Sequence, residues 1–408
     1  MTLPSKIQIQ KVMAGSPKLH EFSVVDELAG KLKSAPDEKR LMKTILEDDK
    51  QAIDDARIIL EAINQGMGAL TPELMFEQIV KNYKLTKQLL GEAIIRAMTG
   101  FEPEHVERNL NIPEFRQELR DKIRQKLETL KKERLVDTEY HPTEKGEKLA
   151  ALLLCTEELD SLAAKGYGEK HKKTASMYGE KEETKPYHGE RYRDIAMRRS
   201  VRKAIRRQHA GIEAHDLESF EKQSKGRSII IYALDASGSM KGKKLEQCKK
   251  AGIALAYKAI DENDSVGMVA FGKKVRAEVR PTKDFHQLLM EIARIRPLEQ
   301  TDIASTIRKA AEMFAAETEE AKKHLTLITD ILPTAGAEPE RSTLEAVSEI
   351  AAEGITVSVI GVSPDKEGKK LAEKIVEIGN GRFLIAKNME DIDVLVLEDY
   401  YATREDSN

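Results

Sequence analysis

The residues best suited to chemistry are oxygen donors in three separated stretches. Ser228-Ile229-Ile230-Ile231-Tyr232-Ala233-Leu234 runs directly into Asp235-Ala236-Ser237-Gly238-Ser239-Met240. One carboxylate and two hydroxyls at alternate positions suit a hard divalent cation, which prefers oxygen ligands. The apolar run ahead of them has the composition of a strand buried on both faces. The donors therefore fall at a strand's C-terminal end, where open α/β sheets place their ligands. Farther on, Leu298-Glu299-Gln300-Thr301-Asp302 opens a helical run from Ile303 to Ala315, which puts the Thr301 hydroxyl where a helix cap would sit and where it could face the first loop. His324-Leu325-Thr326-Leu327-Ile328-Thr329-Asp330 is a second apolar strand that ends in a carboxylate. Singly, each stretch has an ordinary reading, because Asp, Ser and Gly populate turns and Thr caps helices. Three of them in this order, two at strand ends, favour one shared site.

This order of motifs resembles the von Willebrand factor A domain, whose metal-ion-dependent adhesion site is Asp-x-Ser-x-Ser, then a Thr, then an Asp. The resemblance implies Asp235, Ser237, Ser239, Thr301 and Asp330 as the ligands of Mg²⁺, with Mn²⁺ or Ca²⁺ as alternatives. It also implies hydroxyls that coordinate directly, some carboxylates that act through water, and one position open to an Asp or Glu of a protein partner. Two positions depart from that family's pattern: the Thr segment lacks the Gly-Gly that often precedes it, and Asp330 is followed by Ile331 rather than Gly.

The elements that must position these donors alternate along the C-terminal half. Helices are expected at Leu245 to Ile260, Phe285 to Ile295, Ile303 to Ala315, Thr343 to Ala352 and Lys369 to Ile378. Between them lie apolar strands at Ser265 to Phe271, Leu325 to Asp330, Thr356 to Gly361 and Arg382 to Ala386. Lys274 to Arg280 alternates as an antiparallel edge strand that Pro281 should end. Such alternation specifies an α/β fold with a doubly wound, mainly parallel sheet and the donor loops at its C-terminal edge.

The N-terminal half has a different character. Apolar residues recur at helical spacing from Asp37 to Gln65, from Thr71-Pro72-Glu73 onward, from Lys87 to Met98 and from Pro113 to Leu135, giving an all-helical layer. The stretch from Leu135 to Ala150, through Tyr140-His141-Pro142-Thr143, looks like the wing of a winged-helix domain. Nucleic-acid contact through the preceding helix would need one basic face, but Glu114, Glu118, Asp121, Glu128 and Glu133 offset its Arg and Lys residues, which favours packing or protein interaction.

From Lys165 to Arg193 hydrophobic periodicity gives way to Lys, Glu, Gly and His, the composition of a mobile linker. A basic helix follows, in which Ile195, Val201 and Ile205 can share a face while Arg198, Arg199, Arg202, Lys203, Arg206 and Arg207 cover the rest. It suits a solvated surface or the docking of an acidic partner; nucleic acid is disfavoured because no aromatic platform accompanies the charge. The segment from Gly189 to Glu221 is similar to the region ahead of the A domain in prokaryotic proteins of the magnesium-chelatase D-subunit and carbon-monoxide-dehydrogenase accessory E types. That similarity implies a MoxR-type AAA+ ATPase as partner.

The expected organisation is thus a helical region over 1–163 with a winged-helix-like end at about 113–160, a charged linker over 164–193, a basic helix and pre-domain segment over 194–224, and the α/β domain over 225–402. At 408 residues the chain is long enough for two or three domains, and with 34% charged residues but a net charge of −3 its global charge points to neither nucleic acid nor membrane. Two cysteines, Cys155 and Cys248, exclude a disulfide framework and a Cys-ligated zinc site. No run approaches the ~18 apolar residues of a membrane span, and Met1 to Pro17 lacks the order of a signal peptide, so a cytoplasmic protein is expected. Gly238 to Lys244 is one residue short of a phosphate loop and lacks its Ser or Thr, and neither a Gly-x-Ser-x-Gly elbow nor His-Glu-x-x-His occurs. The expected function is metal-dependent protein binding in assembly, metal insertion or remodelling of a client. A subunit of a metal chelatase or metal-dependent hydrolase is the alternative, and nucleic-acid binding through the wing-like and basic segments a weaker one.

Overall fold

In a computed structural model, the structure describes residues 41, 45, 49–90, 92–166, 184–187, 195–207, 209, 212–220, 227–273, 275–297, 301–317, 321–333 and 338–405. They form two compact units, one joining the chain up to Ser161 with the chain from Arg227, the other lying within Leu162–Gly226.

The first unit is centred on a six-stranded sheet of order β5-β4-β3-β6-β7-β8, comprising β3 (Ser228–Asp235), β4 (Ser265–Phe271), β5 (Val275–Thr282), β6 (Lys322–Thr329), β7 (Thr356–Val362) and β8 (Asn380–Ala386). All neighbours pair parallel except β4 and β5. The antiparallel edge strand runs on through Pro281 rather than stopping before it. A proline, which cannot donate to a ladder, is tolerated there because the strand is at the edge and its pairing shifts register between Val266 and Met268.

Alternate residues of β3 serve different cores. Ile230, Tyr232 and Leu234 join one apolar cluster, while Ile229, Ile231 and Ala233 join the other. This is why the strand is apolar throughout, with every residue buried. One face is covered by the helices Ile303–Ala315, Pro339–Ala352 and Lys366–Gly379. The other is covered by Lys243–Asp261, Phe285–Arg294 and a C-terminal helix, Ile392–Glu405, that hydrophobic periodicity did not reveal. Buried polar bonds tie this last helix in: Asp399 Oδ2 meets His324 Nε2 at 2.8 Å and accepts from Thr326 Oγ1 at 3.1 Å.

Apolar residues of the N-terminal helices belong to the same cluster as that second face. These are α1 (Lys50–Asn64), α2 (Pro72–Lys81), α3 (Tyr83–Leu90), α4 (Glu92–Thr99), α5 (Pro103–Asn109), α6 (Pro113–Lys132) and α7 (Glu144–Ala164). The expected helix over Lys87 to Met98 lies within the described helices α3 and α4, with Gly91 outside the described residues. Phe115, Leu119, Ile123, Leu127 and Leu130 form the buried stripe of α6. Between α6 and α7, Val136 and Pro142 make one antiparallel bridge.

In the second unit, β1 (Thr184–Pro186) pairs antiparallel with β2 (Glu218–Phe220), so three residues of the expected linker are a strand; of the rest, 167–183 and 188–193 lie outside the described residues. The basic helix, α8, spans Met197–Arg206. Ser200 Oγ accepts from the Glu218 backbone N–H at 2.9 Å, linking α8 to β2.

Candidate metal centre

The strand order places β3 between β4, which follows it, and β6, which leaves in the opposite direction. Loops on either side of such a reversal diverge and leave a crevice at the strands' C-terminal ends. Asp235 ends β3 and Asp330 follows β6, so both carboxylates stand at that crevice.

Short-range bonds shape the first loop. Asp235 Oδ1 accepts from the Ser237 backbone N–H at 2.8 Å, and the Ser237 and Ser239 hydroxyl oxygens are 3.0 Å apart. The Ala236 N–H donates to Phe271 O at 2.8 Å, and the Asp302 N–H to Gly272 O at 2.8 Å. The end of β4 thereby holds both the first loop and the segment that carries Thr301. Thr301 is buried, but it is not the cap: Asp302 is, its side chain accepting from the Ser305 N–H at 3.0 Å. The expectation fails by one residue because a carboxylate caps as well as a hydroxyl.

Thr329 was not among the expected site residues, yet it joins the two carboxylate loops. Its hydroxyl donates to Asp235 Oδ2 at 2.6 Å and accepts from the Ile331 N–H at 2.9 Å. Its only mark in the sequence is its place beside Asp330 at the end of an alternating strand. Ile331 has φ of +61°, the left-handed region that L side chains avoid and where β-branched residues are rarest. Isoleucine here adopts the conformation for which glycine is suited, and its side chain is buried in return.

Asp235, Ser237, Thr301 and Asp330 are buried, whereas Ser239 is exposed, so the site opens to solvent at the second serine. Burial pushes the Asp235 carboxyl up to about 6, with the nearby Asp330 charge adding to it and the bonds from Thr329 and Ser237 opposing it. Asp330 Oδ1 is buried without a hydrogen-bond partner. An oxygen-only donor set, two mutually repelling buried carboxyls and an orphaned carboxylate oxygen fit a hard divalent cation.

The helical layer reaches the flank of this site. The Gly242 N–H, just past the first loop, donates to Asn64 O at 3.1 Å. Lys249 on the helix that follows is wholly buried, with Nζ donating to Asn64 Oδ1 at 2.7 Å and Ala293 O at 3.0 Å. Beside the loop lies a cleft of about 790 Å³ whose lining includes Gln65, Met67, Leu74, Lys81 and Lys241.

Residues 230–398 match the family described as von Willebrand factor type A domain. The C-terminal half is a von Willebrand factor type A domain. Over 196 residues the chain is 26% identical to the uncharacterized protein YwmC of Bacillus subtilis strain 168, covering 43% of this chain and 84% of that one. It is 23% identical to an aerotolerance-related membrane protein from Bacteroides fragilis, over 43% of this chain and 99% of that one, with a TM-score of 0.36. For the conserved hypothetical protein BatB from Bacteroides thetaiotaomicron the values are 24%, 44%, 99% and 0.37. No described helix of this chain is long and apolar enough to cross a membrane.

Of the basic residues on α8 and at its C-terminal cap, Lys203 pairs with Glu218 at 3.2 Å and Arg207 with Asp216 at 3.1 Å, and Arg199 is half-buried. Arg198, Arg202 and Arg206 are exposed, next to the exposed apolar row Met197, Val201 and Ile205.

Proposed function

We propose that this protein is a cytoplasmic, divalent-metal-dependent adaptor that binds another protein through its VWA domain. Ser237, Ser239 and Thr301 hold Mg²⁺, or Mn²⁺ or Ca²⁺ in its place, through their hydroxyls, with Asp235 and Asp330 as its carboxylates. The bound ion supplies a Lewis-acidic position for a carboxylate of the partner. The observation that carries the reading is the pair of buried carboxyls at the switch between β3 and β6, one raised to about 6 and the other with an unpartnered oxygen. Both are unfavourable in the protein alone and both are relieved by a cation.

Around the ion, the chain's own residues set what can approach. The exposed Ser239 marks the open side, and Lys241, two residues on, lines the neighbouring cleft, so a partner segment that presents its carboxylate to the ion has Leu74 and Met67 of that cleft as further contacts. The exposed arginines of α8, with their apolar row, add contacts for an acidic segment. By the resemblance of the pre-domain segment, the partner is a MoxR-type AAA+ ATPase, the pair acting in assembly, metal insertion or remodelling of a client.

Calorimetric titration of the chelator-treated protein with Mg²⁺ and Mn²⁺ tests the site, with Asp235→Ala, Ser237→Ala as control. Saturable binding absent from the double variant is expected. Co-purification with a MoxR-type ATPase should require Mg²⁺ and fail in the same variant. Leu74→Ala, which changes no charge in the cleft, should weaken the partner and leave Mg²⁺ affinity alone. Equal ATPase capture by wild type and double variant would refute the mechanism.

A further inference from the structure

The second unit carries side chains for which the VWA site has no use. His209, Glu213 and His215 each offer one donor atom, and the three atoms lie within 4.8 Å of one another. His215 Nε2 is 2.9 Å and His209 Nδ1 3.9 Å from Glu213 Oε2, and the two rings stand edge to face with centroids 5.6 Å apart. Behind them Asp216 is fully buried. Its Oδ2 meets His209 Nδ1 at 2.7 Å and accepts from the Glu213 N–H at 3.2 Å, while Oδ1 accepts from Arg207 Nη1 at 3.1 Å.

The ordinary account of this turn is a capping box, in which the side chains of Glu213 and Asp216 satisfy each other's backbone N–H. That explains the two acids. It leaves unexplained why two imidazoles, six residues apart in the chain, converge on the same carboxylate. At histidine metal sites a buried carboxylate behind the ring fixes its orientation and raises its basicity. Asp216 bonds His209 Nδ1, so in this role it leaves Nε2 as the His209 ligand atom. It also neutralises Arg207, the charge that would otherwise oppose a cation here.

We propose that His209, Glu213 and His215 bind a divalent transition-metal ion of the zinc class, with Asp216 as the positioning residue behind His209. Two imidazoles and one carboxylate form a borderline donor set that favours Zn²⁺ over Mg²⁺, the reverse of the all-oxygen set in the VWA domain. Three protein ligands leave a coordination position for water or for a side chain of a partner. The two sites thus differ in ion, and this one stands or falls independently of the function proposed above.

The test uses the full, tag-free chain, stripped with chelator and titrated with Zn²⁺ and with Co²⁺ as spectroscopic probe in saturating Mg²⁺. The same titrations on Asp235→Ala, Ser237→Ala remove any contribution of the VWA site. One Zn²⁺ per chain is expected in both, with visible Co²⁺ bands, and loss of both signals in His209→Ala, His215→Ala. Asp216→Asn should weaken Zn²⁺ by roughly 10–100-fold, the usual effect of an outer-shell partner. Because the His215 side chain is exposed, His215→Ala should keep its circular dichroism and still lose affinity by at least that factor. Zn²⁺ binding of equal strength in the double histidine variant, or none in the wild type, would overturn the assignment.

Discussion

Replacing Lys249 with Met should be about 3 kcal/mol more favourable at pH 7 than at pH 10. Burial lowers the Lys249 ammonium to about 7, with the Glu246 and Glu61 charges opposing the shift. An unfolded lysine titrates near 10.4, so between about pH 7 and 10 the unfolded chain binds a proton that the folded chain does not. Stability must then rise with pH across that window. Integrating the linkage, the buried lysine costs roughly 4 kcal/mol at pH 7 and roughly 1 kcal/mol at pH 10. Met fills a similar volume without charge but leaves Asn64 Oδ1 and Ala293 O without their donor, at about 1–3 kcal/mol each. The variant should therefore lie within about 2 kcal/mol of wild type at pH 7 and be less stable by about 1–5 kcal/mol at pH 10. Urea unfolding of both proteins at the two pH values reads this directly. Equal shifts in the unfolding free energy at pH 7 and pH 10 would refute the reasoning, because only titration of Lys249 makes the effect pH-dependent. The outcome matters for function, since this lysine joins the helical layer to the helix that follows the loop of Asp235, Ser237 and Ser239.

Other outcomes follow from the same structure. At Ile331, Gly should be more stable than Ala by about 1 kcal/mol, the reverse of their usual order, because only glycine relieves the left-handed backbone; thermal unfolding of the two variants decides it, and Ala equal to or above Gly would mean no strain is held there. Asp399→Ala should cost about 3–5 kcal/mol by leaving buried His324 without its partner. Burial acts to raise the Asp399 carboxyl, but the His324 charge and the bonds from His324, Ser358 and Thr326 outweigh it and hold the group low. Its stabilisation is therefore complete above about pH 4 and is lost as pH falls through the folded value, so the gap between variant and wild type should close in acid. A gap independent of pH would assign the loss to packing instead. In Asp235→Asn the side chain keeps its size and can still accept from the Ser237 N–H, so folding should persist without added metal while Mg²⁺ binding is lost; unchanged Mg²⁺ affinity would remove Asp235 from the site.

Local chemistry in the sequence was enough to specify the α/β domain. Ile229 to Leu234 is uninterrupted and apolar because both faces of β3 are covered, and such strands separated by amphipathic helices have few arrangements other than a parallel, doubly wound sheet. Residue type and strand-end position likewise marked Asp235, Ser237, Ser239 and Asp330, because strand ends in such a sheet face one edge, and the resemblance to the A domain joined Thr301, at a helix start, to them. Contacts between distant segments were beyond its reach. Whether Thr301 or Asp302 caps its helix depends on the bond from the Asp302 N–H to Gly272 O, which fixes the segment from outside. That Thr329 donates to Asp235, 94 residues away, follows from the pairing of β3 with β6. Lys249 would pass as a solvent-facing residue of an amphipathic helix. It is buried because α1 brings Asn64 against it, and the approach of two elements far apart in the chain is a property that neither segment carries alone. A local turn at Ala214–Asp216 also brought His209 and His215 onto one carboxylate, where composition showed only scattered histidines.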